Sequence, residues 1–204
     1  MTLSEPSSAT NNRNDAPQAG NLPTSPTSFI GRATELATLN DLKAKPQVRL
    51  ITIFGPGGVG KTRLAIEAAS TWLNDFSDGV NFVSLQSVSS PDFLVSAVND
   101  ALNLPPAGQA EPRRQLLSFL ASKNLLLVLD NFEHLLAEES AALIADILAE
   151  APAVSLLVTS REILNLQEEW RLPLSGLDLP PSSRTKDQTV SEAMALFIER
   201  ARRV

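Results

Sequence analysis

Eight consecutive residues constrain the fold of this chain more than any others: Gly55-Pro56-Gly57-Gly58-Val59-Gly60-Lys61-Thr62. They match the pattern G-x-x-x-x-G-K-[ST] in full, between an apolar run at residues 48–54 and a helical pattern at residues 62–74. Glycine lets the backbone wrap around phosphate oxygens where a β-carbon would obstruct it, and the N-terminal end of the following helix attracts anions. The pattern predicts a phosphate-binding loop in which Lys61 reaches the β- and γ-phosphates of a nucleotide and the Thr62 hydroxyl binds Mg²⁺. Arg63, the next residue, is counted among the nucleotide-binding candidates.

The apolar runs of the chain indicate a parallel sheet. Four runs rich in Val, Ile, Leu and Phe lie at residues 48–54, 80–85, 125–129 and 154–158, and a weaker fifth lies at residues 170–174. Continuous apolarity is typical of strands that are covered on both faces. Helical patterns separate the runs, at residues 32–45, 62–74, 92–102, 112–122 and 135–150, and a last one lies at residues 191–203. The expected fold is a three-layer α/β sandwich, in which chemistry collects at the carboxyl ends of the strands.

Composition and charge narrow the range of partners. The 204 residues include 17 basic and 23 acidic ones, for a net charge of −6, which argues against direct nucleic-acid contact and against an anionic membrane surface. The chain has no cysteine, so disulfides, thiolate zinc sites and thiol nucleophiles are excluded. It also lacks an apolar run of the roughly 20 residues that span a bilayer, and its first residues lack the features of a signal peptide. We expect a soluble cytoplasmic protein.

The third apolar run ends in a carboxylate, Asp130. A charge at the tip of a buried strand is costly unless a cation compensates it, so Asp130 is predicted to support Mg²⁺ together with Thr62. The alternative is that Asp130 caps the next helix. Asn131 follows, and an amide cannot accept a proton from water as a second acid would, so Glu133 is the candidate base. The alternative for Glu133 is a favourable charge at a helix N-terminus, and His134 is interpreted as structural.

The fourth apolar run ends in Thr159-Ser160-Arg161. A cation at this strand tip would contact the γ-phosphate and report its presence. The alternative is a surface arginine that pairs with Glu162 or Glu133.

Several short segments together resemble the STAND class of signalling ATPases, which is related to NB-ARC domains and AAA+ proteins. The closest likeness is to the ATPase part of bacterial transcriptional regulators of the LuxR and SARP types. Besides the phosphate-binding loop, the segments that carry it are Leu22-Pro23, Thr27-Ser28-Phe29-Ile30-Gly31-Arg32, Leu129-Asp130-Asn131-Phe132-Glu133-His134, Thr159-Ser160-Arg161, Leu172-Pro173-Leu174 and Ala195-Leu196-Phe197-Ile198-Glu199-Arg200-Ala201.

The resemblance implies a five-stranded, mostly parallel sheet of order 2-3-4-1-5 and a site for ATP or ADP with Mg²⁺. It implies that Ile30 and Arg32 contact the adenine side, although Ala33 stands where the family has an acid and Glu35 lies two places on. The residue patterns described above give Lys61, Asp130, Glu133 and Arg161 as the candidate catalytic residues. The expected organisation is a disordered leader at residues 1–26, a P-loop NTPase core at residues 27–178, and a linker with the start of an incomplete helical lid at residues 179–204.

Three functions agree with these patterns. The first is a nucleotide switch core of a signalling or transcription-regulatory ATPase that hydrolyses ATP slowly, with the nucleotide and protein domains or proteins outside this chain as partners, and with nucleotide-dependent self-association as an option. The second is a P-loop kinase or an AAA+-type ring enzyme, for which Arg113 and Arg114 are the candidate cationic lid residues. The third is a non-catalytic interaction module that holds nucleotide as a structural ligand.

Overall fold

The structure, a computed structural model, describes residues 20–24, 27–108, 111–177 and 191–201. α-Helices separate the first four of the five strands along the chain, and a stretch without a helix joins the fourth strand to the fifth. The strands are β1 (Leu50–Phe54), β2 (Val80–Ser84), β3 (Leu126–Asp130), β4 (Ser155–Ser160) and β5 (Glu169–Pro173). The α-helices are α1 (Ala33–Lys43), α2 (Lys61–Thr71), α3 (Leu94–Ala101), α4 (Pro112–Leu120), α5 (Glu138–Glu150) and α6 (Glu192–Ala201). Short 3-10 helices lie at Leu73–Asp75, Pro91–Phe93 and Phe132–Leu135.

All five strands are parallel, in the order β2-β3-β4-β1-β5, so the predicted fold class and strand order are confirmed. The strand β4 lies between β1 and β3. The register pairs Phe54 with Ser160 and Ser84 with Asp130. The carboxyl ends of β1, β3 and β4 therefore meet at one edge of the sheet, where the sequence places its candidate site residues.

The sheet is covered on both faces, as the continuous apolar runs predict. Successive side chains of a strand point to opposite faces. In β3, Leu127 and Leu129 pack with α3, α4 and α5 on one face, whereas Leu126 and Val128 pack with α1 and α2 on the other. The result is the three-layer sandwich, and β3 is fully buried along its length.

One helix begins later than the sequence pattern predicts. The pattern after β3 predicts a helix from residue 135, but a 3-10 helix occupies Phe132–Leu135 and α5 begins at Glu138. Asn131 has a left-handed backbone (φ 64°), which turns the chain sharply after β3. Phe132 and Leu135 are then buried in the core, which fixes the 3-10 turn ahead of α5.

The part of the predicted leader that the structure describes, residues 20–24, lies against the sheet. The Asn21 side chain donates to the Phe82 carbonyl (2.9 Å) and accepts from the Phe82 N–H (2.6 Å). Leu22 packs against the core beneath α1 and α2. Since β2 is an edge strand, Asn21 satisfies two backbone groups that would otherwise face solvent. The rest of the predicted leader, and residues 178–190 of the predicted core end and linker, lie outside the described residues.

Helix α6 forms within the segment that the sequence predicts as the start of a lid. Among the described residues, no helix is long and apolar enough to cross a membrane.

Candidate nucleotide-binding site

The phosphate loop, residues 55–62, joins β1 to the first turn of α2. Gly60 has φ 96°, a backbone conformation that side chains with a β-carbon rarely adopt. A β-carbon on Gly55 would lie 2.1 Å from the Leu174 carbonyl oxygen, so the loop begins in close contact with the segment after β5. Both positions therefore require glycine, and the predicted strand–loop–helix setting of the motif is present.

Lys61 is the first residue of α2 and is 9% exposed. Its ammonium donates to the carbonyl oxygens of Gly55 (2.8 Å) and Pro56 (2.9 Å). The side chain thus folds back over the mouth of its own loop, where its charge adds to the positive end of α2. An anion entering the loop would compete with these two neutral carbonyls for the ammonium, and a phosphate is the stronger acceptor.

Thr62 and Asp130, the two predicted metal ligands, are brought together. The Thr62 hydroxyl donates to Asp130 Oδ1 at 2.6 Å. Asp130 is 6% exposed at the tip of β3. A hydroxyl and a buried carboxylate are oxygen donors of the kind Mg²⁺ takes beside nucleotide phosphates. The described parts of the chain contain no cluster of three or more acidic or imidazole side chains that could hold a metal.

Thr159 is a site residue that sequence reasoning missed. Its hydroxyl donates to Asp130 Oδ1 (2.5 Å) and accepts from the Asn131 N–H (3.1 Å), and the residue is 1% exposed. The sequence shows a polar residue at the end of an apolar run, but its contact with Asp130 depends on β4 lying beside β3. Thr159 holds Asp130 at the edge of the sheet and ties it to the turn that follows.

Glu133 and Arg161 form an ion pair beside the phosphate loop. Arg161 Nε lies 3.0 Å from Glu133 Oε1, and the side chains are 64% and 17% exposed. Glu133 Oε2 is buried and accepts no hydrogen bond from the described residues. A β-carbon on Gly57 would lie 3.7 Å from the Arg161 guanidinium, so this cation stands at the phosphate loop. The two predicted catalytic side chains are therefore adjacent, in the pairing that the sequence left open as an alternative.

A cavity of about 530 Å³ opens beside the phosphate loop. Predicted binding residues line it from the segment before α1, from the phosphate loop and from α2. Residues just after β5 and residues of α6, which the sequence did not predict, complete the wall. Its wall consists of Ser28, Phe29, Ile30, Arg32, Gly57, Gly58, Val59, Gly60, Arg63, Gly176, Leu177, Ala193 and Leu196. This volume lies within the usual range of small-molecule and cofactor sites, and the apolar wall beside a glycine loop suits a base and sugar attached to phosphates.

The two arginines of the cavity are bound to backbone carbonyls. Arg32 donates to Val59 (3.3 Å) and Ser175 (2.5 Å) and pairs with Glu35. Arg63 donates to the carbonyl oxygens of Thr27 and Ser28. Arg63 thus holds the segment before Ile30 against α2, and Glu35 pairs with Arg32 from two places beyond Ala33.

A sequence model described as an AAA domain matches residues 46–167, more than half of the chain and all of the sheet except β5. The chain belongs to the AAA domain family. A candidate HTH-type transcriptional regulator of Mycobacterium tuberculosis (strain H37Rv) is 36% identical over 160 residues, which are 78% of this chain and 16% of the regulator. An uncharacterized protein of that strain is 36% identical over 180 residues, 87% of this chain and 42% of its own length. The regulatory protein AfsR of Streptomyces griseus is 29% identical over 151 residues, 69% of this chain and 15% of AfsR.

Solved structures show the same fold as this AAA domain. Cdc6p from Pyrobaculum aerophilum superposes with a TM-score of 0.55 at 17% identity, over 88% of this chain and 52% of Cdc6p. A STAND protein with a tetratricopeptide repeat sensor from Pyrococcus horikoshii gives a TM-score of 0.53 at 16% identity, over 80% of this chain and 26% of that protein. The likeness establishes the P-loop NTPase α/β fold. The chain spans less than half the length of the three relatives above, and its AAA domain together with these relatives indicates nucleotide binding in a regulator-like protein.

Proposed function

We propose that this AAA domain is the nucleotide switch core of a regulatory ATPase of the STAND type. It binds ATP or ADP with Mg²⁺, hydrolyses ATP slowly, and passes the difference between the two nucleotides to protein domains or partners outside this chain. The observation that carries the proposal is the meeting of the phosphate loop, the Thr62–Asp130 pair and the Arg161–Glu133 pair at one sheet edge, beside a cavity of about 530 Å³. A nucleotide biases such a switch through its different affinity for two states.

Each residue of the site has its own role in nucleotide binding. Lys61 leaves the Gly55 and Pro56 carbonyls for the β- and γ-phosphates, and the backbone N–H groups of the loop bind the remaining oxygens. Thr62 and Asp130 would hold Mg²⁺, which supplies charge neutralisation at the phosphates. Ile30, Arg32 and Arg63 belong to the cavity that would take the adenosine part.

Arg161 is the proposed detector of the γ-phosphate. In the structure its charge is taken by Glu133, which is the only acid in the Asn131–Leu135 turn. A γ-phosphate at the phosphate loop offers Arg161 a more highly charged partner, and its departure leaves Glu133 free to accept a proton from water. ADP lacks that phosphate, so the pair persists. The proposed turnover is that of unassisted switch NTPases, on the order of 10⁻⁴ to 10⁻² per second.

Ligand-dependent thermal unfolding tests nucleotide binding directly. At 100 times the dissociation constant, a ligand adds about 2.7 kcal/mol, which for a domain of this size raises Tm by roughly 5 to 10 °C. We expect this rise with Mg-ADP and Mg-ATP, and none of it in Lys61→Ala. Exposed Lys45 lies on the α1–β1 connection, which enters β1 at the end opposite the phosphate loop, so Lys45→Ala is the matched control. An unshifted Tm with every nucleotide would remove the proposal.

A second function, a nucleotide-bound interaction module without turnover, is favoured by one observation: the position after Asp130 is an amide, and the nearest acid is neutralised by Arg161. Phosphate release separates the two. Slow release by the wild type that is lost in Glu133→Gln supports the ATPase, whereas wild-type release equal to that of Lys61→Ala supports the module.

The kinase alternative is not supported by the contacts of Arg113. Arg113, one of its two candidate lid cations, donates from Nη2 to Asp146 of α5 at 2.6 Å. This contact holds Arg113 between α4 and α5, on the face of the sheet opposite α2, rather than in a mobile lid over the phosphate loop.

A further inference from the structure

Arg32 has an unusual backbone and an unusual degree of burial for an arginine. It is 7% exposed and has φ 63°, in the left-handed region that residues with a β-carbon rarely adopt. A residue keeps such a conformation only where contacts with its surroundings offset the strain, and such residues cluster at functional sites. The hydrogen bonds of the Arg32 guanidinium are the contacts that hold this backbone conformation.

The guanidinium joins two backbone segments that are distant in sequence. Its Nη2 donates to the carbonyl of Val59, in the phosphate loop, at 3.3 Å, and to the carbonyl of Ser175, just after β5, at 2.5 Å. Its Nη1 donates to Glu35 Oε1 at 2.6 Å. Glu35 belongs to the first turn of α1, and it binds the guanidinium nitrogen that the two carbonyls do not use.

The segment after β5 also contacts the beginning of the phosphate loop. The Leu174 N–H donates to the Phe54 carbonyl at 2.8 Å, and the Leu174 carbonyl lies so close to Gly55 that a β-carbon there would approach it to 2.1 Å. Residues 174 and 175 therefore brace the loop at both ends, directly at Gly55 and through Arg32 at Val59. The next residues, Gly176 and Leu177, form the cavity wall together with residues of α6.

We propose that Arg32 is a positioning residue that couples the phosphate loop to the segment after β5, and through that segment to the cavity wall facing α6. This inference rests on the proposed nucleotide binding. When phosphate orders the loop, the Val59 carbonyl keeps its place on Arg32, and the same guanidinium nitrogen keeps Ser175 in place. Coupling between two sites is reciprocal, so the position of residues 174–177 also sets the affinity of the loop for phosphate. Arg32 differs here from a base-contacting residue, because its Nη2 donates to two protein carbonyls and its Nη1 to the Glu35 carboxylate.

The test compares a ligand that has a base with one that has phosphates alone. The full chain, as wild type, Arg32→Ala, Arg32→Lys and Glu35→Gln, is titrated with Mg-ADP and with Mg-pyrophosphate. The matched control is Arg171→Ala, which removes an exposed arginine of β5 that pairs with Glu169. We expect Arg32→Ala to weaken both ligands by the same factor, about 5- to 10-fold for a lost charge-assisted hydrogen bond, with smaller losses in Arg32→Lys and Glu35→Gln and none in the control.

Amide hydrogen exchange on the wild type keeps the proposal testable if Arg32→Ala fails to fold. We expect Mg-pyrophosphate to slow exchange at residues 57–60 and at residues 174–177 together, and Arg32→Lys to reduce the effect at the second segment. Protection of the loop alone would overturn the coupling. So would a loss confined to Mg-ADP, which assigns Arg32 to the base, or unchanged affinities with a lower Tm, which make Arg32 merely structural. A wild type that binds neither ligand contradicts the proposed function itself, so the two failures are distinguishable.

Discussion

Arg161 Nε lies 3.0 Å from Glu133 Oε1, so the cation that follows β4 neutralises the acid that follows β3. The two strands are neighbours, and their tips bring these side chains together over the phosphate loop. Glu133 is largely buried while Arg161 is mostly exposed, so Arg161 is the partner that can leave without opening the core. A competing anion at the loop would therefore decide whether Glu133 keeps its cationic partner.

Replacing Arg161 by alanine should change nucleotide preference more than stability. The side chain is 64% exposed, so its removal opens no cavity, and the folding free energy that is lost comes from leaving the Glu133 carboxylate without its cation. If Arg161 moves to the γ-phosphate, its loss weakens a non-hydrolysable ATP analogue by about 5- to 10-fold and leaves ADP affinity unchanged. Calorimetric titration of both ligands measures this, with exposed Arg114→Ala on α4 as the control. Equal weakening of the two ligands would show that Arg161 does not distinguish them.

Removing the Thr159 hydroxyl should damage both stability and metal dependence. Thr159→Val keeps the shape of the side chain but removes one hydrogen-bond partner from Asp130 Oδ1 and one from the Asn131 N–H, at a cost of about 1 to 3 kcal/mol. Thr159→Ser retains the hydroxyl and should restore most of the loss. Denaturant unfolding in EDTA gives the stability, and ADP affinity over a range of Mg²⁺ concentrations reports the orientation of Asp130. If Thr159→Val requires no more Mg²⁺ than the wild type, Thr159 stabilises the fold without positioning the carboxylate.

The sequence predicts the parts of the site that are local in the chain. The phosphate loop and the apolar run that ends in Asp130 are each one continuous stretch of sequence, so the pattern within the stretch is enough to predict its structure. Contacts between strands cannot be predicted in this way, because the apolar runs do not indicate which strands are neighbours. The strand order is implied only by the family resemblance. The role of Thr159 follows only from that order. Asn131 explains one missed boundary: its left-handed backbone inserts a 3-10 turn before α5.

The ion pair between Asp78 and Lys123 should make the free energy of unfolding fall as the pH becomes acidic. The hydrogen bond from Lys123 Nζ (2.8 Å), and then that from the Asn124 N–H (2.8 Å), lower the pKa of Asp78 below its usual value. A carboxyl whose pKa is lower in the folded state stabilises the fold above its unfolded pKa, and the contribution disappears as pH falls through the folded value. Asp78→Asn should therefore lower stability at pH 7 by up to about 1 kcal/mol, and the difference from wild type should shrink at strongly acidic pH.

Urea unfolding of Asp78→Asn and wild type at several pH values measures this difference. Asp41→Asn, which changes an exposed carboxylate of α1, is the control and should show no such trend. A difference that stays constant down to strongly acidic pH would mean that the Asp78 charge does not contribute.

The Asn21 side chain should protect the edge of the sheet. Its amide makes two hydrogen bonds with the backbone of Phe82 on β2, at 2.9 and 2.6 Å, in the manner of a neighbouring strand. Asn21→Ala leaves both groups of Phe82 open at an edge, and exposed edges template pairing with other chains. We expect faster amide exchange at Phe82, and self-association that rises with concentration, measured by light scattering. Asn21→Asp keeps the acceptor and loses the donor, so it should fall between wild type and Asn21→Ala. If Asn21→Ala associates no more than the wild type and Phe82 is still protected, the edge is covered by other means and the amide is dispensable.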